Sequence, residues 1–196
     1  MVGSSWREVD YIKGLPKLST KPATIKQLGQ RAKFVLAVNF LQPVKKLLNI
    51  GFMTQRIGKA TGYNIALQYF LANAVLGTYP DFEIDYSKVV ISKGGLGKPL
   101  GGVIEASVPG SISLKWSANL NEYNSFADDV AFILVYNVTK DTYISNPTGV
   151  TRGIESATIP VPAEFAGDTV EAWMFFTSRD QTSVSNSEYI GSAILQ

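Results

Sequence analysis

Two periods divide the chain. From Ile25 to Val75 apolar residues recur every three or four positions, and beyond Tyr79 they recur every second position. Ile25, Leu28, Ala32, Val35 and Leu36 mark one face of a helix that begins near Pro22 and Thr24. Lys26, Gln30 and Lys33 fall on the opposite face, with Arg31 to its side. Phe34 to Leu41 is apolar nearly all round, which predicts an enclosed second half. Pro43 suits the first turn of a second helix, whose apolar set is Val44, Leu47 and Leu48 and which ends near Gly51. Thr61 stands at the cap of a third, with Ile65, Leu67, Phe70, Leu71 and Val75 facing inward and Gly77 as its stop. Ahead of the helices, Trp6, Val9 and Tyr11 alternate loosely in an extended arm that Gly14-Leu15-Pro16 interrupts.

The second period predicts strands. Val89–Ile91 reads as a short one, Gly94 to Gly102 as a glycine-rich loop, and Val103 to Val108 as another strand. Ile112, Leu114 and Trp116 alternate with Ser111, Ser113, Lys115 and Ser117, the pattern of a strand with one face in water. Val130 to Tyr136 is apolar throughout, as a strand covered on both sides would be. Val170, Ala172, Met174 and Phe176 alternate again, and Tyr189 to Leu195 closes the set. This spacing predicts a β-sandwich. Trp116 on an early strand, an apolar central strand and a terminal Ser-Asn-Ser-rich strand resemble a fibronectin type III or immunoglobulin-like domain, although no tyrosine stands near Val170 where that family has its corner residue. The expected class is therefore α+β, a small unit of about three helices followed by an antiparallel sandwich. The divisions expected are an arm over 1–20, a helical unit over 21–78 and a sandwich over 79–196. Three helices in sixty residues make too small a core to stand alone.

Four ordered blocks carry a second resemblance. They are Gly3-Ser4-Ser5-Trp6, the spaced set Pro22, Thr24, Gln27, Gln30, Arg31, Lys33 and Phe34, the run YPDFEIDYSKV from Tyr79 to Val89, and SNSEYIG from Ser185 to Gly191. Together they resemble a bacterial family known only as a domain of unknown function, over nearly the whole chain. That resemblance implies a family and no activity, and it transfers no catalytic residue.

Composition narrows the chemistry. Among 196 residues there is neither histidine nor cysteine. Ser-His-Asp and Cys-His catalysis, disulfides and the common zinc and non-haem iron sites are thereby excluded. Carboxylate pairs, Ser-Lys arrangements and oxygen-ligated calcium or magnesium remain. No run approaches the roughly 18 apolar residues of a membrane helix. The first eight residues lack the basic-then-apolar layout of a signal peptide, so the compartment stays open between a protein that remains inside and a mature form outside. The net charge of +2 is unevenly laid out: residues 1–60 sum to +9 and residues 61–196 to −7. Such asymmetry speaks of partners rather than fold.

Each candidate site has a plainer reading beside it. GGLGKPLGG (Gly94–Gly102) invites comparison with a phosphate loop, but it lacks the Lys-Ser/Thr pair and a strand, not a helix, follows. Asp81, Glu83 and Asp85 have the spacing of the first calcium-loop ligands, but Tyr86 stands where glycine is wanted and Ser92 where the bidentate Glu belongs. They read as an acidic edge complementary to Lys26, Arg31 and Lys33 of this chain or of a neighbour. Asp128-Asp129 are adjacent on an extended segment and so diverge, whereas paired catalytic carboxylates converge across a cleft. Trp173 and Phe175 fall on the face opposite Val170, Ala172, Met174 and Phe176. There they either form an exposed contact surface, for a protein or a sugar ring, or lie beneath the helical unit. The arm around Trp6 and Tyr11 could add a strand to a neighbour's sheet. Nucleic acid is not the expected partner, since aromatic interleaving is weak and no DNA or RNA motif occurs. The function expected is that of a non-enzymatic structural or assembly protein, without cofactor, that joins copies of itself or another protein. A carbohydrate- or protein-binding module is the alternative.

Overall fold

The computed structural model describes residues 2–6, 9–15, 21–55, 58, 60–146 and 149–196, with Trp6 described by its backbone alone. Three layers stack on one another, and they follow from which strand faces are apolar. The middle layer is a four-stranded antiparallel sheet of β7 (Val130–Asn137), β8 (Thr142–Ser145), β10 (Thr169–Thr177) and β11 (Glu188–Ile194), in the order β11-β10-β7-β8. Opposite it lies a three-stranded sheet, β5 (Leu100–Glu105), β6 (Ser111–Ser117) and β9 (Ser156–Pro160), in the order β5-β6-β9. Ile112, Leu114 and Trp116 of β6 point inward and meet Ile133 and Val135 of β7 and Ala172, Met174 and Phe176 of β10. The other side of the middle sheet is covered by three helices, α1 (Ile25–Leu41), α2 (Lys45–Gly51) and α3 (Gly62–Asn73). Phe40, Leu41, Leu48 and Phe70 pack there against Leu134, Tyr136, Trp173 and Phe175. The unbroken apolar runs of β7 and β10 are thus explained: both faces of each strand are buried, one against a sheet and one against helices. The class is α+β, with the helical unit at the N-terminal end and a fibronectin type III-like sandwich after it.

The helix ends use the chemistry their residues allow. Thr24 Oγ1 accepts from the Gln27 backbone N–H at 3.3 Å while Gln27 Oε1 accepts from the Thr24 N–H at 3.0 Å, a capping box. Thr61 caps α3 by a single bond, its Oγ1 accepting from the Asn64 N–H at 3.3 Å. The third helix ends earlier than its apolar pattern suggests, because Val75 and Gly77 lie in a hairpin, β3 (Val75–Thr78) with β4 (Asp81–Ile84). The arm also differs from expectation: β1 (Val2–Trp6) and β2 (Val9–Lys13) pair with each other as an antiparallel hairpin.

Val89–Ile91 is extended but makes no strand ladder. Its neighbours bind side chains instead: Ser187 Oγ accepts from the Ile91 and Ser92 N–H groups, and Asn186 Oδ1 accepts from Gly94 N–H. This segment runs so close beneath α2 that a Cβ on Gly51 would stand 2.1 Å from the Ile91 carbonyl oxygen. Only glycine permits the approach.

At the opposite end of the sandwich, Asp168 accepts from Asn137 Nδ2 at 2.7 Å and pairs with Lys140 Nζ at 3.0 Å. The Asn137 bond, then Lys140, hold its carboxyl below the usual carboxylate range. A depressed folded pKa contributes stability that is present above the ordinary value near pH 4 and is lost as pH falls through the lowered one. Melting temperature followed from neutral pH to about pH 2 should fall less steeply in Asp168→Asn than in the parent; parallel curves would remove this role.

Candidate interaction surfaces

Helix α1 turns a different face inward from the one its pattern suggests. Gly29, Ala37, Phe40 and Leu41 are buried, whereas Ile25 is 73% and Val35 56% exposed, with Phe34 also open. The reason lies in the second half of the helix. Phe40 sits between Tyr136, Tyr143 and Trp173, with ring centroids 5.1, 5.7 and 6.2 Å away, and this aromatic anchor sets the rotation of the whole helix. The first half then carries its apolar residues out into solvent beside Arg31. Lys26, Arg31 and Lys33 form no ion pair among the described residues. Lys33 Nζ lies over the Phe82 ring, 5.0 Å from its centroid.

Trp173 and Phe175 form no exposed platform. Both are 0% exposed, because the helical layer covers their face of the sheet. Trp173 Nε1 donates to the Tyr86 carbonyl at 3.1 Å, and Phe175 stacks on Phe132 at 5.1 Å. A sugar-stacking role for this pair is therefore corrected. The tyrosines around them are structural donors: Tyr136 to Asp141, Tyr143 to the Phe40 carbonyl, Tyr189 to Glu171. Burial first, then the neighbouring carboxylates, pushes the Tyr136 and Tyr189 phenols above their ordinary value, so they remain protonated.

The three acidic residues of the β4 region separate. Asp81 and Glu83 share the exposed face of β4, while Asp85 turns aside to accept from the Ser87 N–H at 3.1 Å. None of the three pairs with Lys26, Arg31 or Lys33 among the described residues. Tyr11 sits exposed on the β1–β2 hairpin, as do Val9 and Ile12; the Trp6 side chain lies outside the described residues. An open groove of about 460 Å³ beside α3 is lined by amide and apolar side chains, among them Gln55, Gln68, Asn73, Ile65 and Tyr69, with no carboxylate among the described residues.

One surface escapes the sequence reading. Four connections meet at the end of the sandwich where β6 finishes and β7 begins: residues 94–99, 118–129, 149–155 and 178–187. Buried Arg152 ties three of them together. Its Nε donates to Asp129 Oδ2 at 2.9 Å, an Nη group donates to the Gly97 carbonyl at 2.8 Å, and the guanidinium stacks 3.8 Å from the Phe176 ring centroid. Burial lowers the Arg152 pKa and Asp129 opposes that shift. The fourth connection joins through Leu96, whose N–H donates to the Val184 carbonyl at 3.0 Å. Asp129 is thus an internal counter-ion, and Asp128 points into solvent, which confirms that this pair diverges. On this braced end Tyr123 is 90% exposed, with Leu120 and Phe126 open beside it. The sequence signal that could have found them is the length of the 118–129 connection, well beyond a usual hairpin loop and rich in Asn.

These features define an α+β protein, a fibronectin type III-like sandwich with a helical layer over one sheet. The chain belongs to the Family of unknown function (DUF6266), whose match covers residues 1–191. The blocks that carry the resemblance have structural work: Thr24 and Gln27 cap α1, and Ser185–Ser187 bind the segment after Val89. No curated protein matches the chain. Solved structures similar to it include the fn3 domain of human collagen alpha-1(XX) chain, at 12% identity over 52% of this chain and 86% of that one with a TM-score of 0.38. Another is the fn3 domain of human contactin 1, at 12% identity over 54% and 82%, with a TM-score of 0.34. Among the described residues no helix is long and apolar enough to cross a membrane.

Proposed function

We propose that this is a non-catalytic assembly protein that joins copies of itself through its basic N-terminal part and its acidic sandwich, as a subunit of a filament or surface appendage. One observation carries the reading. Residues 11–80 hold ten Lys and Arg and no carboxylate, and Lys26, Arg31, Lys33, Lys45 and Lys46 find no ionic partner among the described residues. The same stretch exposes Tyr11, Ile12, Ile25 and Val35. Uncompensated charge beside uncovered apolar surface is what a docking face offers, and the nearest plentiful supply of carboxylate is the other half of the same protein. Screening decides the test: the Debye length shortens from about 10 Å at 0.1 M salt to about 3 Å at 1 M. Light scattering at high protein concentration should give oligomers at low salt and smaller species at high salt. A monomer at low salt would overturn the reading.

The alternative of a binding module for another protein draws support from Tyr123. Its carbohydrate form has lost its platform, since Trp173 and Phe175 are buried.

A further inference from the structure

We infer that the loop end of the sandwich, led by Tyr123, docks on the exposed face of α1 in a second copy of this chain. The inference rests on the self-association reading and names the two faces that meet. Tyr123 and Leu120 stand on a connection that is already ordered. Asn121 Oδ1 accepts from the Tyr123 and Asn124 N–H groups at 2.9 and 2.8 Å, and the Asn124 side chain donates to the Gly95 carbonyl at 3.1 Å. Gly97 N–H donates to the Asn124 carbonyl at 2.7 Å, and a Cβ on Gly97 would stand 2.0 Å from Ser125 Oγ, so the two loops touch without a gap. A rigid aromatic loses little conformational freedom on binding, and such residues anchor protein interfaces.

Charge selects the counterpart. On the four connections of this end the exposed acids are Glu122, Asp128, Glu155 and Asp180, against Lys98 and Arg179. The complementary surface is apolar and basic, and α1 supplies it: Phe34 and Val35 are exposed on the side of the helix that carries Arg31, with no acid in the helix. The β1–β2 hairpin, also apolar and exposed, carries Asp10 as well as Lys13 and offers an acidic rim no net attraction. Both faces stand open in one chain, so neither satisfies the other internally. They are different surfaces, so the contact is heterologous and successive copies add head to tail.

Two single variants, each disabling one face, test the pairing. Tyr123→Ala and Val35→Asp alter exposed side chains, and an unchanged circular-dichroism melt verifies that each still folds. Sedimentation equilibrium at low salt should show the self-association constant of each weakened by about thirtyfold, the scale of a lost interface anchor. Mixed in equal amounts, the two variants should form a species of twice the monomer mass and nothing larger. Each retains one working face, and those faces are partners. If the parent chain is monomeric, both this inference and the self-association reading fall. If the parent associates and either variant associates equally well, the inference alone falls. If both are weakened and the mixture stays monomeric, the two faces are not partners and the inference is overturned.

Discussion

Arg152→Met should destabilise the protein by about 3–5 kcal/mol, the cost of leaving one member of a buried ion pair without its partner. Both side chains are almost wholly enclosed, at 0% and 1% exposure for Arg152 and Asp129. Methionine approximates the volume of the arginine stem, so the loss is chiefly electrostatic. The Asp129 carboxylate would keep its bond from the Phe126 N–H but lose its counter-charge, and the Gly97 carbonyl would lose its donor. Adding Asp129→Asn removes the uncompensated charge and should recover part of the loss. Urea unfolding of the two variants beside the parent measures both quantities. A single variant within about 1 kcal/mol of the parent would show that the pair contributes little. Because the same arginine joins three loops, limited proteolysis within 118–129 should accelerate in Arg152→Met even where the protein remains folded.

Trp173→Ala should cost about 3–5 kcal/mol, the range for removing a buried aromatic side chain and leaving a cavity. That is a large part of the ~5–15 kcal/mol by which an ordinary domain is stable. Trp173 stands where the two kinds of layer meet. Its strand neighbours Ala172 and Met174 face the other sheet, while it faces Phe40 of α1, Tyr86 and Tyr189. The helical layer and the sandwich should therefore melt together, in one transition at lower denaturant, with helix and sheet signals lost in parallel. Helix signal that persists after the sheet has unfolded would show that the two do not share a core.

Much of the architecture is legible along the chain because a strand's side-chain period is two and each face reports its own surroundings. The serines and lysine that alternate with Ile112, Leu114 and Trp116 tell of a face in water, and the run from Val130 to Tyr136 tells of two covered faces. Thr24 and Thr61 mark helix starts because a hydroxyl in front of a helix satisfies an otherwise free N–H. The candidate surfaces were less legible. Trp173 and Phe175 could be placed on the face opposite Met174, but alternation cannot say whether helices lie over that face. Asp129 looks like half of an acidic pair until Arg152, distant in sequence, closes on it.

By itself, then, the sequence determined the class of fold, the places of its three helices and of β6, β7, β10 and β11, the exclusion of imidazole and thiol chemistry, and the separation of positive from negative charge. Those are properties of local spacing and composition, and they hold however the elements are stacked. Only the tertiary structure decided that α1 is rotated by the seat of Phe40, with Ile25 and Val35 left in solvent, and that one buried guanidinium gathers loops far apart in the chain. Such outcomes depend on which surfaces compete for the same apolar neighbour or the same counter-charge, and that competition is settled among residues distant along the chain and adjacent in space.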